Sequence, residues 1–295
     1  MSFSYDRPGG RVALVTCAKL PDLDPDDRLL LAPLAARGIS AEPAVWDDPA
    51  VDWSAYDLVV LRSTWDYARR RDEFVAWAGR VPRLANPADV VRWNTDKRYL
   101  SALAAAGLPV VPTQWVDRGD AWAMPDAGEW VIKPAVGAGS LDTGRYAASD
   151  EAHRPLAVAH VARLQAAGRL VMVQPYLPAV DTDGETSLLF LGGMYSHAIR
   201  KGPMLQGPDE GVTGLYKEEA ITPRTPSPAE RAVADAVLAA VPFTDLLYAR
   251  VDLISGSDGQ PLLVELELAE PSLFLGTADG AADRLAAAIA RAAAS

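Results

Sequence analysis

The apolar positions of the chain fall into two periodicities that change places along its length. Arg11 to Cys17 is a continuous apolar run of strand length, and Ala41 to Trp46 and Asp57 to Leu61 repeat that pattern. Between the first two lies Asp26 to Arg37, a helical pattern stopped by Gly38 and shortened or kinked by Pro33. Glu73 to Arg80 forms the next amphipathic helix. Strands alternating with helices predict a parallel sheet covered by helices over residues 1–93.

A second unit is expected over residues 94–176. It opens with Asn94 or Thr95 capping a helix that runs to Ala106 and stops at Gly107, before Leu108-Pro109. Strands at Glu129 to Lys133 and Leu170 to Gln174, a returning strand at Arg145-Tyr146 and a helix at Asp150 to Gly168 follow. Residues 177–295 read as antiparallel. Thr186 to Leu191 and Met194 to Arg200 flank Gly192-Gly193, and Leu246 to Ile254 with Pro261 to Leu268 flank a second turn. Between these hairpins Lys201 to Pro228, rich in Gly and Pro, is expected to be a mobile functional loop.

At 295 residues the chain exceeds one comfortable core. With 49% hydrophobic and 23% charged residues it is predicted to be a globular α/β (α+β) protein. The apolar stretches Leu29 to Ala36 and Leu285 to Ala294, broken by Pro33 and Arg291, fall short of the roughly 20 residues that cross a bilayer. Met1 to Gly10 is polar, so neither a secretory leader nor a membrane partner is expected, and the location is predicted to be cytoplasmic. A net charge of -11 disfavours a nucleic-acid partner. The single cysteine, Cys17, cannot make an internal disulfide and reads as a small buried thiol. His197 is read as structural, and His153 and His160 as residues of a helix surface.

The most informative segment is the last hairpin. If Asp258-Gly259 is a two-residue turn, opposed positions sum to 517, so Asp252 faces Glu265 and Arg250 faces Glu267. Period-two alternation then gathers all four on one face and assigns Val251, Leu253, Val264 and Leu266 to the core face. Opposed carboxylates repel, so the cluster of Asp252, Glu265 and Glu267 calls either for a hard cation such as Mg²⁺ or for an ion pair of Arg250 with Glu267. The glycines of Pro134 to Gly144 permit either backbone approach to phosphate or an ordinary hairpin, without the lysine of a Walker loop. Arg62, Thr64 and Asp66 follow a strand end, where open α/β sheets bind ligands, and are substrate candidates together with Arg200 and Lys201.

Taken in order, the helix opening at Asn94 to Lys97, Val131-Ile132-Lys133-Pro134 before the glycine loop, Val173-Gln174-Pro175-Tyr176, Gly184-Glu185-Thr186-Ser187, Arg250-Val251-Asp252 and Glu265-Leu266-Glu267 resemble the ATP-grasp superfamily over residues 90–275. The resemblance implies an N-terminal pre-ATP-grasp α/β domain, a small central lid domain and a C-terminal antiparallel-sheet domain. The chain is similar to glutathione synthetase-like and D-alanine:D-alanine ligase-like members. Arg62 to Tyr67, Arg92-Trp93-Asn94 and Glu267 to Leu275 resemble most the ATP-grasp enzymes of cycloserine ring closure.

By that resemblance ATP and Mg²⁺ are the cofactors. Lys97 and Lys133 contact the phosphates, and Gly137, Gly139 and Ser140 belong to the loop above them. Gln174, Pro175, Tyr176 and Leu177 hold adenine, and Glu185 lies at the ribose. Arg250 and Lys133 act on the transferring phosphoryl group, and Asp252 and Glu265 ligate Mg²⁺. Glu267 stands where the superfamily carries asparagine, and is read as a third ligand or as the partner of Arg250. The implied reaction activates a small-molecule carboxylate as an acyl phosphate and closes an amino-acid derivative such as O-ureidoserine on itself. An intermolecular amino-acid or peptide ligase and a non-catalytic ATP-binding module are the alternatives, and a homodimer is allowed.

Overall fold

The structure, a computed structural model, describes residues 10–209, 211, 214–216 and 220–295. Strands β1 (Arg11–Thr16), β2 (Ser40–Val45), β3 (Leu58–Leu61) and β4 (Leu84–Ala85) form a parallel sheet in the order β2-β1-β3-β4. The helical pattern before Gly38 is divided. A 3-10 turn at Asp27–Leu30 precedes a short α1 (Leu31–Ala35), as Pro33 requires, and Gly38 ends it at a φ of 74°. Helix α2 (Arg71–Ala78) turns Phe74, Trp77 and Ala78 onto one face of the sheet, against Val15, Leu61 and Trp46.

The helix expected from Asn94 is two helices. Asn94 is the last residue of α3 (Ala88–Asn94), and α4 (Tyr99–Ala105) starts only after a turn through Thr95–Arg98. Asn94 is occupied across the molecule rather than as a cap. Its side-chain amide donates to the Leu266 carbonyl at 2.8 Å and its oxygen accepts from the backbone of Leu268 at 2.6 Å and Ala269 at 3.1 Å.

The second sheet, order β5-β8-β6-β7, is antiparallel and is built from β5 (Gln114–Val116), β6 (Glu129–Pro134), β7 (Gly144–Ala147) and β8 (Val171–Pro175), with α5 (His153–Ala166) packed on it. His160, expected on a helix surface, is buried there against Tyr146.

A short α6 (Ala179–Thr182) leads to the third sheet. Strands β9 (Glu185–Leu191), β10 (Met194–Lys201), β11 (Ile221–Arg224), β12 (Tyr248–Ser255) and β13 (Pro261–Glu267) pair antiparallel in the order β11-β10-β9-β12-β13. Gly192 and Gly193 form the two-residue turn, both at positive φ as a mirror-image turn needs. The long connection from Lys201 to Pro228, expected as a mobile loop, contains β11, and its residues 210, 212–213 and 217–219 lie outside the described residues.

Helix α7 (Pro228–Ala240) was not anticipated. Its capping box, with the Ser227 hydroxyl on the Glu230 backbone and the Glu230 carboxylate on the Ser227 backbone, is a plain sequence signal. It covers one face of the third sheet together with α4, whose Tyr99, Leu100 and Leu103 pack with Val251 and Leu266. Helix α8 (Ala281–Ala294) returns to the first sheet, where Leu285 and Ile289 share a core with Val12, Leu14 and Val60. No helix among the described residues is long and apolar enough to cross a membrane.

Candidate active site

The second and third sheets, with the connections that follow β1 and β3, enclose a cavity of about 380 Å³. The third sheet supplies its floor through β12 and β13, where Arg250 pairs with Glu267 and Asp252 with Glu265. That register is the one read from the sequence, but it arises differently. The hairpin closes as Ser255 opposite Pro261, one step from the expected alignment, and a β-bulge between Asp252 and Leu253 shifts it back by one. The bulge inverts the alternation on β13: Leu263 takes the core position assigned to Val264, and Val264 lines the cavity.

The charges on this floor are interlocked. Arg250 donates from Nε to Asp252 Oδ1 at 2.9 Å, from Nη2 to Asp252 Oδ2 at 3.0 Å, to Glu267, and from Nη1 to the Ser272 carbonyl at 3.0 Å. Lys201 reaches Asp252 Oδ2 at 2.7 Å. Asp252 is 1% exposed. Burial alone would raise its pKa, but Arg250 and Lys201 hold it well below the usual carboxylate range. Lys97 lies between Glu265, at 3.0 Å, and the Gly137 carbonyl, at 2.8 Å, tying the glycine loop to the floor. Burial beside Asp252 and Glu265 pushes the Glu267 carboxyl up, against the pull of Arg250.

Lys133 contrasts with Lys97. It lines the cavity from β6 and makes no hydrogen bond or ion pair among the described residues, and burial lowers its pKa against the opposing pull of Glu265. Such a cation is available to an anionic ligand.

The remaining expected residues divide by position. Gly137, Gly139, Ser140, Gln174, Pro175, Tyr176, Leu177, Glu185, Lys201, Glu265 and Glu267 line the cavity with Lys97, Lys133 and Arg250. Gln174 donates to Thr113 Oγ1 at 2.8 Å, and Tyr176 is fixed by its hydroxyl on Asp181 at 2.5 Å and by Arg145 over its ring at 3.5 Å. Asp252 does not line the cavity; it lies behind Arg250 and Lys201. Of the two readings of the carboxylate cluster, the ion pairs are those present, and no group of three His, Cys, Asp or Glu among the described residues is arranged as a metal site. Glu265 and Glu267 still present hard oxygen donors to the cavity, a pair that suits Mg²⁺ carried on a polyphosphate.

Arg62, Thr64, Asp66 and Arg200 do not line the cavity. Arg62 is fully buried, paired with Asp27 at 2.8 Å and donating to the Pro271 carbonyl at 2.6 Å. Thr64 is also fully buried, and Asp66 accepts from Trp46 Nε1 at 2.9 Å. Arg200 donates to the backbone carbonyls of Thr182 and Asp183. The string after β3 turns at Thr64, whose carbonyl accepts from the Tyr67 amide, and Trp65 and Tyr67 line the cavity instead. Asp24, Asp26, Glu270, Ser272 and Phe274 join them and were not read from the sequence. Asp24 and Asp26 follow the end of β1, the position where a parallel sheet binds ligands, and that rule could have found them.

The glycine loop is held over the cavity by contact with the segment before β11. A Cβ on Gly139, at a φ of 61°, would lie 2.3 Å from the Leu215 carbonyl, and Tyr216 meets Trp65 edge-on at 5.4 Å.

Comparison with known proteins agrees with this architecture. The family described as D-cycloserine synthetase DcsG, N-terminal domain, matches residues 12–86. The cycloserine biosynthesis protein DcsG of Streptomyces lavendulae is 44% identical over 300 residues, covering 95% of this chain and 98% of that protein. A crystal structure of D-cycloserine synthetase DcsG matches with a TM-score of 0.84 and 41% identity, over 96% of this chain and 100% of the other. D-alanine–D-alanine ligase from Bacillus anthracis complexed with ATP matches at a TM-score of 0.63 over 97% of this chain and 98% of the other; at 14% identity it speaks for the fold alone.

Proposed function

The chain belongs to the family of D-cycloserine synthetase DcsG, ATP-grasp ligases, and from that premise we propose that it activates the carboxylate of an amino-acid derivative as an acyl phosphate and closes the molecule on itself. O-Ureidoserine is the candidate substrate. The observation that carries this reading is the convergence of Lys97, Lys133, Arg250, Glu265 and Glu267 on one cavity roofed by a glycine loop.

In this reading adenine occupies the end lined by Gln174 to Leu177, with Glu185 toward the ribose. Lys133, without a side-chain partner among the described residues, takes phosphate charge, and Lys97 does so while holding the glycine loop by the Gly137 carbonyl. Glu265 and Glu267 would hold Mg²⁺, whose chemistry is to neutralise charge on the transferring phosphoryl group. Arg250 is kept in one orientation by Asp252, Glu267 and the Ser272 carbonyl, so its guanidinium meets developing charge without reorganising. Asp252 is then a positioning residue for Arg250 and Lys201 rather than a ligand. The substrate carboxylate attacks the γ-phosphorus, ADP leaves, and the ring nitrogen displaces phosphate from the acyl carbon. The closed loop keeps water from the acyl phosphate.

Turnover of O-ureidoserine labelled with ¹⁸O in its carboxylate, with Mg-ATP, tests this directly. Labelled phosphate and a cyclised product with no second amine consumed are expected. Unlabelled phosphate during turnover excludes carboxyl activation, and consumption of a second amine replaces ring closure by intermolecular ligation.

A further inference from the structure

Beyond the phosphate-facing residues, the cavity wall formed by the ends of β1 and β3 and by the segment after β13 has a different chemistry. Among the described residues the cationic side chains of the cavity are Lys97, Lys133, Lys201 and Arg250, all supplied by α4's leading turn and by the second and third sheets. A further part of the wall is made of Trp65, Tyr67 and Phe274 with the acids Asp24, Asp26 and Glu270. Asp26 is already committed, with its two oxygens on the backbone amides of Leu275 and Gly276 at 2.8 and 2.9 Å. Asp24 accepts from the Asp26 backbone amide.

Glu270 is placed otherwise. It is 8% exposed, lines the cavity, has the Tyr67 hydroxyl at its side chain and makes no ion pair among the described residues. Its backbone is held rigidly. The Glu270 carbonyl accepts from Trp65 Nε1 at 3.0 Å, the next carbonyl, of Pro271, from Arg62, and the Ser272 carbonyl from Arg250. That last bond sets Glu270 two residues from a contact of the guanidinium that meets the reacting carboxylate. In an α-amino acid the ammonium and the carboxylate are borne on one carbon, so a carboxylate at Arg250 brings the ammonium to this wall. Burial raises the Glu270 pKa to about 7, so its ionised form gains from a cation brought beside it.

We infer that Glu270, oriented by Tyr67, is the specificity residue that binds the α-ammonium group of the substrate, so that the enzyme selects amino acids over carboxylic acids lacking the amine. This rests on the function proposed above for the same cavity. The probes are O-ureidoserine and its deaminated counterpart, 3-(ureidooxy)propanoic acid. Each is titrated calorimetrically into the parent and Glu270→Gln proteins in the presence of Mg²⁺ and a non-hydrolysable ATP analogue, and ADP release is measured with ATP.

A charge-assisted hydrogen bond in a buried site predicts that the parent binds the amine about 30-fold more tightly than the deaminated compound. Glu270→Gln should remove that preference while leaving affinity for the nucleotide and for the deaminated compound unchanged. Tyr67→Phe, which keeps the carboxylate, should narrow the preference only a few-fold, and reads the same discrimination if Glu270→Gln does not fold. Equal binding of the two probes by the parent, or an equal loss for both in the variant, overturns the inference while leaving the function standing. Tight, amine-selective binding without ADP release overturns the function and keeps the inference. Binding of neither probe overturns both.

Discussion

Replacing Asp252 by asparagine removes a negative charge paired with both Arg250 and Lys201 in a position 1% exposed. Breaking a buried ion pair by removing one partner costs about 3–5 kcal/mol, because the cations left behind are uncompensated. Two features place this case at the lower end: asparagine keeps an oxygen that can accept one bond, and Arg250 retains Glu267 and the Ser272 carbonyl. The expected loss is therefore about 3 kcal/mol, and at about 2 °C per kcal/mol for a chain of this size the melt falls by about 6 °C. It is measured without nucleotide or Mg²⁺, beside a Mg²⁺ titration of ADP release. A double-mutant cycle with Lys201→Met should give a coupling of about 1–3 kcal/mol. An Asp252→Asn protein that melts with the parent, and whose only defect is a raised Mg²⁺ requirement, would refute the positioning role and restore Asp252 as a metal ligand.

Lys133→Ala should weaken ATP binding about 10- to 100-fold by calorimetry, with the nucleotide-free melt unchanged or raised, since this half-buried lysine has no side-chain hydrogen bond or ion pair among the described residues to lose. Gly139→Ala should abolish the protection of the glycine loop from proteolysis by Mg-ATP, because its Cβ would lie 2.3 Å from the Leu215 carbonyl at a φ of 61°. Burial of His160 lowers its pKa from 6.5 to about 4. The unfolded chain therefore binds the proton first, and stability present above pH 6.5 is lost as pH falls toward 4, by up to about 3 kcal/mol. Denaturant titrations of His160→Gln should show this slope removed, and an unchanged slope would show that His160 does not supply it.

Local pattern was enough for the alternation of strands and helices and for the Gly192-Gly193 hairpin, because each depends on neighbours within a few positions, whereas Gln174 to Leu177, which line the cavity, came from the family resemblance alone. The capping box at Ser227 was equally legible. The pairing of Arg250 with Glu267 was readable only because two departures cancel: the turn slips the register by one and the bulge returns it. Which of Arg62 to Tyr67 faces the cavity was not local at all. A turn at Thr64 and the demand of Asp27 for a buried partner decided it, sending Arg62 inward and Trp65 and Tyr67 to the site. The same holds for the carboxylates. Like charges opposed on a hairpin ask for a cation, but nothing within the hairpin says whether it is a metal or a lysine from β10, 51 residues away. Sequence fixes the charge that must be neutralised; tertiary packing chooses what neutralises it, since contacts between distant segments depend on how whole sheets stack rather than on any pattern along one of them.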